Sequence, residues 1–158
     1  MTKFDILKAM SNAANSYFSA YVRCMEQRII DSKTFQWLPI PAITCIALSC
    51  EIYLKALLLY FDTSYPDGFK NDDLKKLFGS VTKAHDLEKL FKLLSEEVRD
   101  NIKSSYKNSS EFDKELSNIK AYFATSRYLY EKEKANFNFP FIEWFNQKLK
   151  ELVDNLLT

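Results

Sequence analysis

A chain of 158 residues has the length of one ordinary domain, and 47% hydrophobic with 15% aromatic residues is ample for a real core. Its 22 basic and 21 acidic residues leave a formal charge of +1, which excludes a global field steering the whole molecule to nucleic acid or anionic lipid and leaves only a local patch open. Two glycines and four prolines provide little punctuation for hairpins or tight turns, so the expected fold is all-α, with long helices joined by short connections.

The first expected helix carries Phe4, Leu7, Ala14, Phe18, Tyr21 and Met25 at three- and four-residue steps, a stripe that faces a partner. Its centre, "SNAANS", is built of small residues that permit close approach of another helix, and a two-fold crossing between copies of the chain is expected there. The segment "DSKTFQWLPIP", Asp31 to Pro41, breaks the pattern, because its prolines stop helix propagation.

A second helix is expected from about Ala42 to Phe61, "AITCIALSCEIYLKALLLYF". It has about the 20 residues a bilayer span needs, yet it holds Glu51 and Lys55 at its middle, and a central Lys costs roughly 2.5–3.5 kcal/mol on insertion. It therefore reads as a buried helix of a soluble protein, with no membrane as partner. On a wheel of 3.6 residues per turn, Thr44, Leu48, Glu51 and Lys55 form one narrow stripe, with Cys50, Tyr53 and Leu57 on the far side.

The polar stretch "DTSYPDGFKNDD" leads to a short helical piece, "DLKKLFG", ended by Gly79. "HDLEKLFKLL" reads as a helix with Leu87, Leu90, Phe91 and Leu94 on one face and Asp86 and Glu88 near its N-terminal dipole. Ser95 restarts a short helix through Ile102, and after "KSSYKNSS" one helix, "EFDKELSNIKAYFATSRYLYE", strings Phe112, Leu116, Ile119, Phe123 and Tyr130 along a stripe. The last helix starts near Pro140, a favoured first-turn residue. No connection is long enough to separate domains, so residues 1–158 are expected to form one helical domain.

Met1-Thr2-Lys3-Phe4-Asp5 opens without an apolar signal region, and a cytoplasmic location is expected. Cys24, Cys45 and Cys50 lack C-x-x-C spacing and fit reduced, buried thiols; with one His in the chain, no metal site and no cofactor are expected.

Three segments in order, "ALSCEIYLKALLL", "HDLEKLF" and "RYLYE", resemble the bacterial HEPN-domain family, small helical bundles with an E-x-x-x-K-x-x-L helix, an H-D-L helix start and a late R-Y segment. The resemblance covers roughly Ala42 to Glu131. It implies an antiparallel four-helix up-and-down bundle with additional short and C-terminal helices, forming a homodimer in toxin–antitoxin or phage-defence settings, often beside a minimal nucleotidyltransferase. Ribonuclease members carry an Arg followed, after four to six residues, by a His. Here the positions upstream of His85 are Phe78, Gly79 and Ser80, and those after Arg127 are Lys132, Glu133 and Lys134, so that motif is absent.

The candidate site is a polar cluster of Glu51, Lys55, His85, Arg127, Tyr128 and Tyr130. His85 is either a general base set across a cleft from Arg127, or a helix-start residue bonded to backbone or a nearby acid. Glu51 either pairs with Lys55 along a solvated edge, for roughly 0.2–0.5 kcal/mol, or faces Arg127 in a desolvated pair. The stretch "NFNFPFIEWF" is expected to dock the terminal helix or form a dimer contact. The expected function is a partner-interaction module, accessory or antitoxin-like, with possible RNA or nucleotide binding. The alternatives are a metal-independent ribonuclease using His85 and Arg127 in a dimer cleft and a purely structural dimeric scaffold.

Overall fold

The computed structural model describes residues 2–26, 28–29, 35–36, 38–64, 72, 85–127 and 136–158. Among the described residues the regular structure is helical, apart from a two-residue antiparallel ladder between β1 (Arg28–Ile29) and β2 (Phe35–Gln36).

Helix α1 (Lys3–Met25) is started by a reciprocal cap: the Thr2 hydroxyl accepts from the Asp5 amide at 3.1 Å while the Thr2 amide donates to the Asp5 carboxylate at 3.0 Å. Its buried face carries Ile6, Leu7, Ser11, Ala14 and Tyr21. Phe4, placed on the stripe by its spacing, is instead 51% exposed. It lies at the rim of the buried arc, at the same angle on the wheel as Val22, which is exposed too. It also sits where α2 ends, for the Lys3 ammonium donates to the Asp62 carbonyl.

Helix α2 (Pro39–Phe61) begins earlier than its prolines suggested. Pro39 is the first residue of the helix and Pro41 falls within its first turn, where a missing N–H leaves no intrahelical bond unmade. The helix lies antiparallel to α1, since the Leu38 amide donates to the Cys24 carbonyl at one end and Lys3 reaches Asp62 at the other. The small-residue centre of α1 permits the close approach expected of it, but to α2 of the same chain: the Ser49 hydroxyl donates to the Ala14 carbonyl at 2.8 Å. That hydroxyl also accepts from the Asn146 amide group at 2.7 Å.

Helices α3 (Leu87–Leu93) and α4 (Glu96–Ser105) are capped by Asp86, whose carboxylate accepts from the Lys89 amide, and by Ser95, whose hydroxyl accepts from the Val98 amide. Helix α4 runs three residues past the expected end at Ile102. A 3₁₀ turn at Ser109–Glu111 follows. The single long helix expected next is broken into α5 (Phe112–Ile119) and α6 (Tyr122–Arg127). At the break, the Lys120 carbonyl accepts from the Leu87 amide at 3.1 Å, serving one of the donors that the start of α3 leaves unpaired. Helix α7 (Phe139–Leu156) starts with Asn138 capping the Phe141 amide and Pro140 in its first turn. The piece "DLKKLFG" with Gly79 falls outside the described residues.

Helix α2 is the hub, packed against α1, α7, α6 and α3. One contiguous apolar cluster draws on every helix, from Leu7 through Ile46, Leu54, Phe91, Ile102, Phe112 and Tyr122 to Phe145 and Val153. Among the described residues, α2 is the one helix long and apolar enough to cross a bilayer, and most of it is covered by the rest of the fold. The "NFNFPFIEWF" aromatics dock the terminal helix: Phe141 and Phe145 are buried against Phe91 and Phe112, with Tyr106 and Trp144 at the rim.

Candidate functional site

The stripe of α2 that points away from α1 and α7 is polar by sequence, and two distant segments close over it. Glu51 as a residue is 4% exposed, and its carboxylate is shared: one oxygen accepts from the Lys55 ammonium at 2.5 Å and the other lies 2.9 Å from His85 Nδ1. Two turns nearer the start of α2, Thr44 and Ser126 exchange a hydroxyl hydrogen bond at 2.7 Å, which seats α6 on the same edge. The His85 ring packs on Phe123 of α6 with centroids 4.2 Å apart.

His85 stands just before the Asp86 cap, so the chain direction at the start of α3 aims its imidazole back at α2. A carboxylate only accepts, so Nδ1 carries the proton in this contact and Nε2 is the ring nitrogen left facing away from Glu51. The His85 side chain is 39% exposed, against 12% for Lys55 and 6% for Glu51. The carboxylate is therefore desolvated and doubly engaged, while the imidazole remains open on one side. Such a carboxylate–imidazole contact can fix a tautomer and ring orientation, and it ties α3 to α2.

Of the six residues singled out from the sequence, Glu51, Lys55 and His85 come together. The backbone of Arg127 ends α6, next to Ser126, and its side chain falls outside the described residues, as do Tyr128 and Tyr130. The acid that holds His85 is Glu51, the residue the sequence paired with Lys55 or Arg127. Sequence reading missed Ser126 and the His85–Phe123 contact. Thr44 on the polar stripe and Phe123 on the apolar one were visible signals, but nothing in spacing says which stripes meet.

Away from this edge burial raises several thiol and phenol groups. Burial pushes the Cys50 thiol up to about 12, and desolvation also raises Cys45; the three cysteines are free thiols. Burial raises the Tyr21 phenol, which donates to Glu143 and links α1 to α7. Among the described residues no three His, Cys, Asp or Glu side chains converge as metal ligands. No family model matches the chain, and neither a characterised protein nor a solved structure is detectably similar to it.

Proposed function

We propose that this chain is a HEPN-like module, a four-helix bundle of α1, α2, the α5–α6 pair and α7, that acts by engaging a partner instead of cutting RNA alone. The observation that carries this reading is the meeting of its two best motifs: Glu51 of E-x-x-x-K and His85 of H-D-L, 34 positions apart in sequence, contact each other at 2.9 Å. The absent Arg–His spacing argues against the ribonuclease of the family and for an accessory or antitoxin-like role in the cytoplasm, as a homodimer beside a nucleotidyltransferase-type protein. RNA or a nucleotide would then be bound and not cleaved.

A second reading has one observation in its favour. Glu51 orients His85 as a carboxylate orients a general base, leaving Nε2 to accept a 2′-hydroxyl proton, with Arg127 to neutralise the phosphorane. The test is incubation of structured and single-stranded RNA with the protein and with His85→Ala and Arg127→Ala, in the presence of a chelator. The expected result is no cleavage in any sample. Cleavage abolished by both substitutions would overturn the proposal and promote the ribonuclease, whereas cleavage insensitive to both would mark a contaminant. Sedimentation at micromolar concentration is expected to give twice the chain mass, and a clean monomer would remove the dimer from the proposal.

A further inference from the structure

A second polar concavity lies where α3, α4 and α5 meet. It encloses about 230 Å³ and is lined by Glu88, Phe91 and Lys92, by Arg99 and Lys103, and by Asp113 and Leu116. Arg99 and Lys103 are one turn apart on α4 and so share its inner face.

The charges in this pocket are unevenly matched. Glu88 is engaged by Lys92 at 2.6 Å and by Lys120 at 3.4 Å, and these cations hold its carboxyl below the usual range. Asp113 is engaged by Lys103 at 2.8 Å. Both acids are thus taken by lysines. Arg99 has no acidic partner among the described residues, and its Nε is sealed from solvent with no hydrogen-bond acceptor. The rest of the Arg99 guanidinium lines the pocket without an acid to neutralise it, and an anion there would supply the missing counter-charge.

We infer that this pocket is a phosphate-group site, with Arg99 as its central ligand and Lys92 and Lys103 on its flanks. A guanidinium offers a fixed fork of donors to two oxygens, and two ammoniums from neighbouring helices can serve the remaining oxygens of a tetrahedral anion. The volume suits a phosphate, free or as the terminal group of a small monoester, better than a whole nucleotide. Phe91 and Leu116 form the pocket's apolar floor, while Lys92 on the rim stays open to solvent. The site is separate from the Glu51–His85 edge and does not depend on the HEPN reading.

Calorimetric titration of the full chain at constant ionic strength tests it, with inorganic phosphate, glycerol 3-phosphate and AMP as phosphate probes and acetate as control. Saturable phosphate binding is expected, weakened about tenfold or more in Arg99→Gln, with Arg99→Lys between because it keeps the charge and loses the fork. Tighter binding of glycerol 3-phosphate than of phosphate would identify a monoester as the source, and equal binding a free anion; either supports the site. Circular dichroism checks that each variant folds, and should Arg99→Gln not fold, Lys103→Gln is expected to weaken the same binding. No saturable binding by the wild type, unchanged binding in a folded Arg99→Gln, or acetate bound as well as phosphate would each overturn the assignment.

Discussion

Around Phe112, five aromatic rings from Phe91, Tyr106, Phe141, Trp144 and Phe145 lie with centroids between 5.2 and 6.2 Å away, and no hydrogen bond is needed to hold them. Along the edge of α2, contact is made by directed bonds: Thr44 to Ser126 and Glu51 to Lys55 and His85. The aromatic end is stabilised by area removed from water, which tolerates small shifts of angle. The α2 edge is stabilised only while donors and acceptors stay aligned, because a buried carboxylate that loses a partner is left partly uncompensated. One region therefore holds the fold together, and the other sets where α3 and α6 sit on it.

The comparison breaks most severely at Phe112. It is fully buried, and Phe112→Ala is expected to cost about 3–5 kcal/mol in urea unfolding, with Phe112→Leu costing much less because it refills most of the volume. An effect under about 1 kcal/mol would mean that α7 is not held by this cluster.

At the polar edge the expected loss is smaller, about 1–3 kcal/mol for Glu51→Ala, at the lower end because His85 is partly exposed to solvent. The diagnostic is coupling. In a double-mutant cycle, Glu51→Ala and His85→Ala should be non-additive by at least about 0.5 kcal/mol, and additivity would demote the contact to a surface pair. The same cycle with Arg127→Ala asks whether that residue joins the cluster.

The smallest effect lies at the fully exposed start of α1. The hydrogen bonds from Thr2 hold the Asp5 carboxyl below its ordinary 3.8. A depressed folded value contributes stability above the unfolded value and loses it as pH falls through the folded one. The difference between wild type and Asp5→Asn should therefore be present at neutral pH and vanish in strong acid. A difference that stays constant across this range would show that the charge at Asp5 plays no part in the cap.

The aromatic end was largely legible in the sequence, for Phe112, Leu116 and Ile119 keep helical spacing and all are buried. Ser95 was also legible as a helix start, because capping is a local matter of one side chain and an amide three residues on, while Asp86 was read only as an acid near the start of its helix. The break between α5 and α6 was not, since the donor that takes the Lys120 carbonyl comes from Leu87, more than 30 positions away. The polar edge was half legible: Glu51 and Lys55 are neighbours on one helix, but the acid facing His85 depends on how α3 docks. Pro39 and Pro41 misled for a simpler reason, since a proline that blocks a helix interior is favoured in its first turn.

Ser49 looks, in the sequence, like an ordinary small polar residue in an apolar run, of the sort a mutational scan would be expected to pass over. Its hydroxyl serves three helices at once, donating to the Ala14 carbonyl of α1 and accepting from Asn146 of α7, with no exposed surface. Alanine would leave the Asn146 amide group only the weaker Cys50 sulfur as acceptor, at 3.5 Å, valine would do the same and crowd α1 as well, and threonine would press a methyl against the α1 backbone. Position 49 should therefore be among the least permissive in the chain, a tolerance profile set by one oxygen atom and invisible to any hydropathy scale.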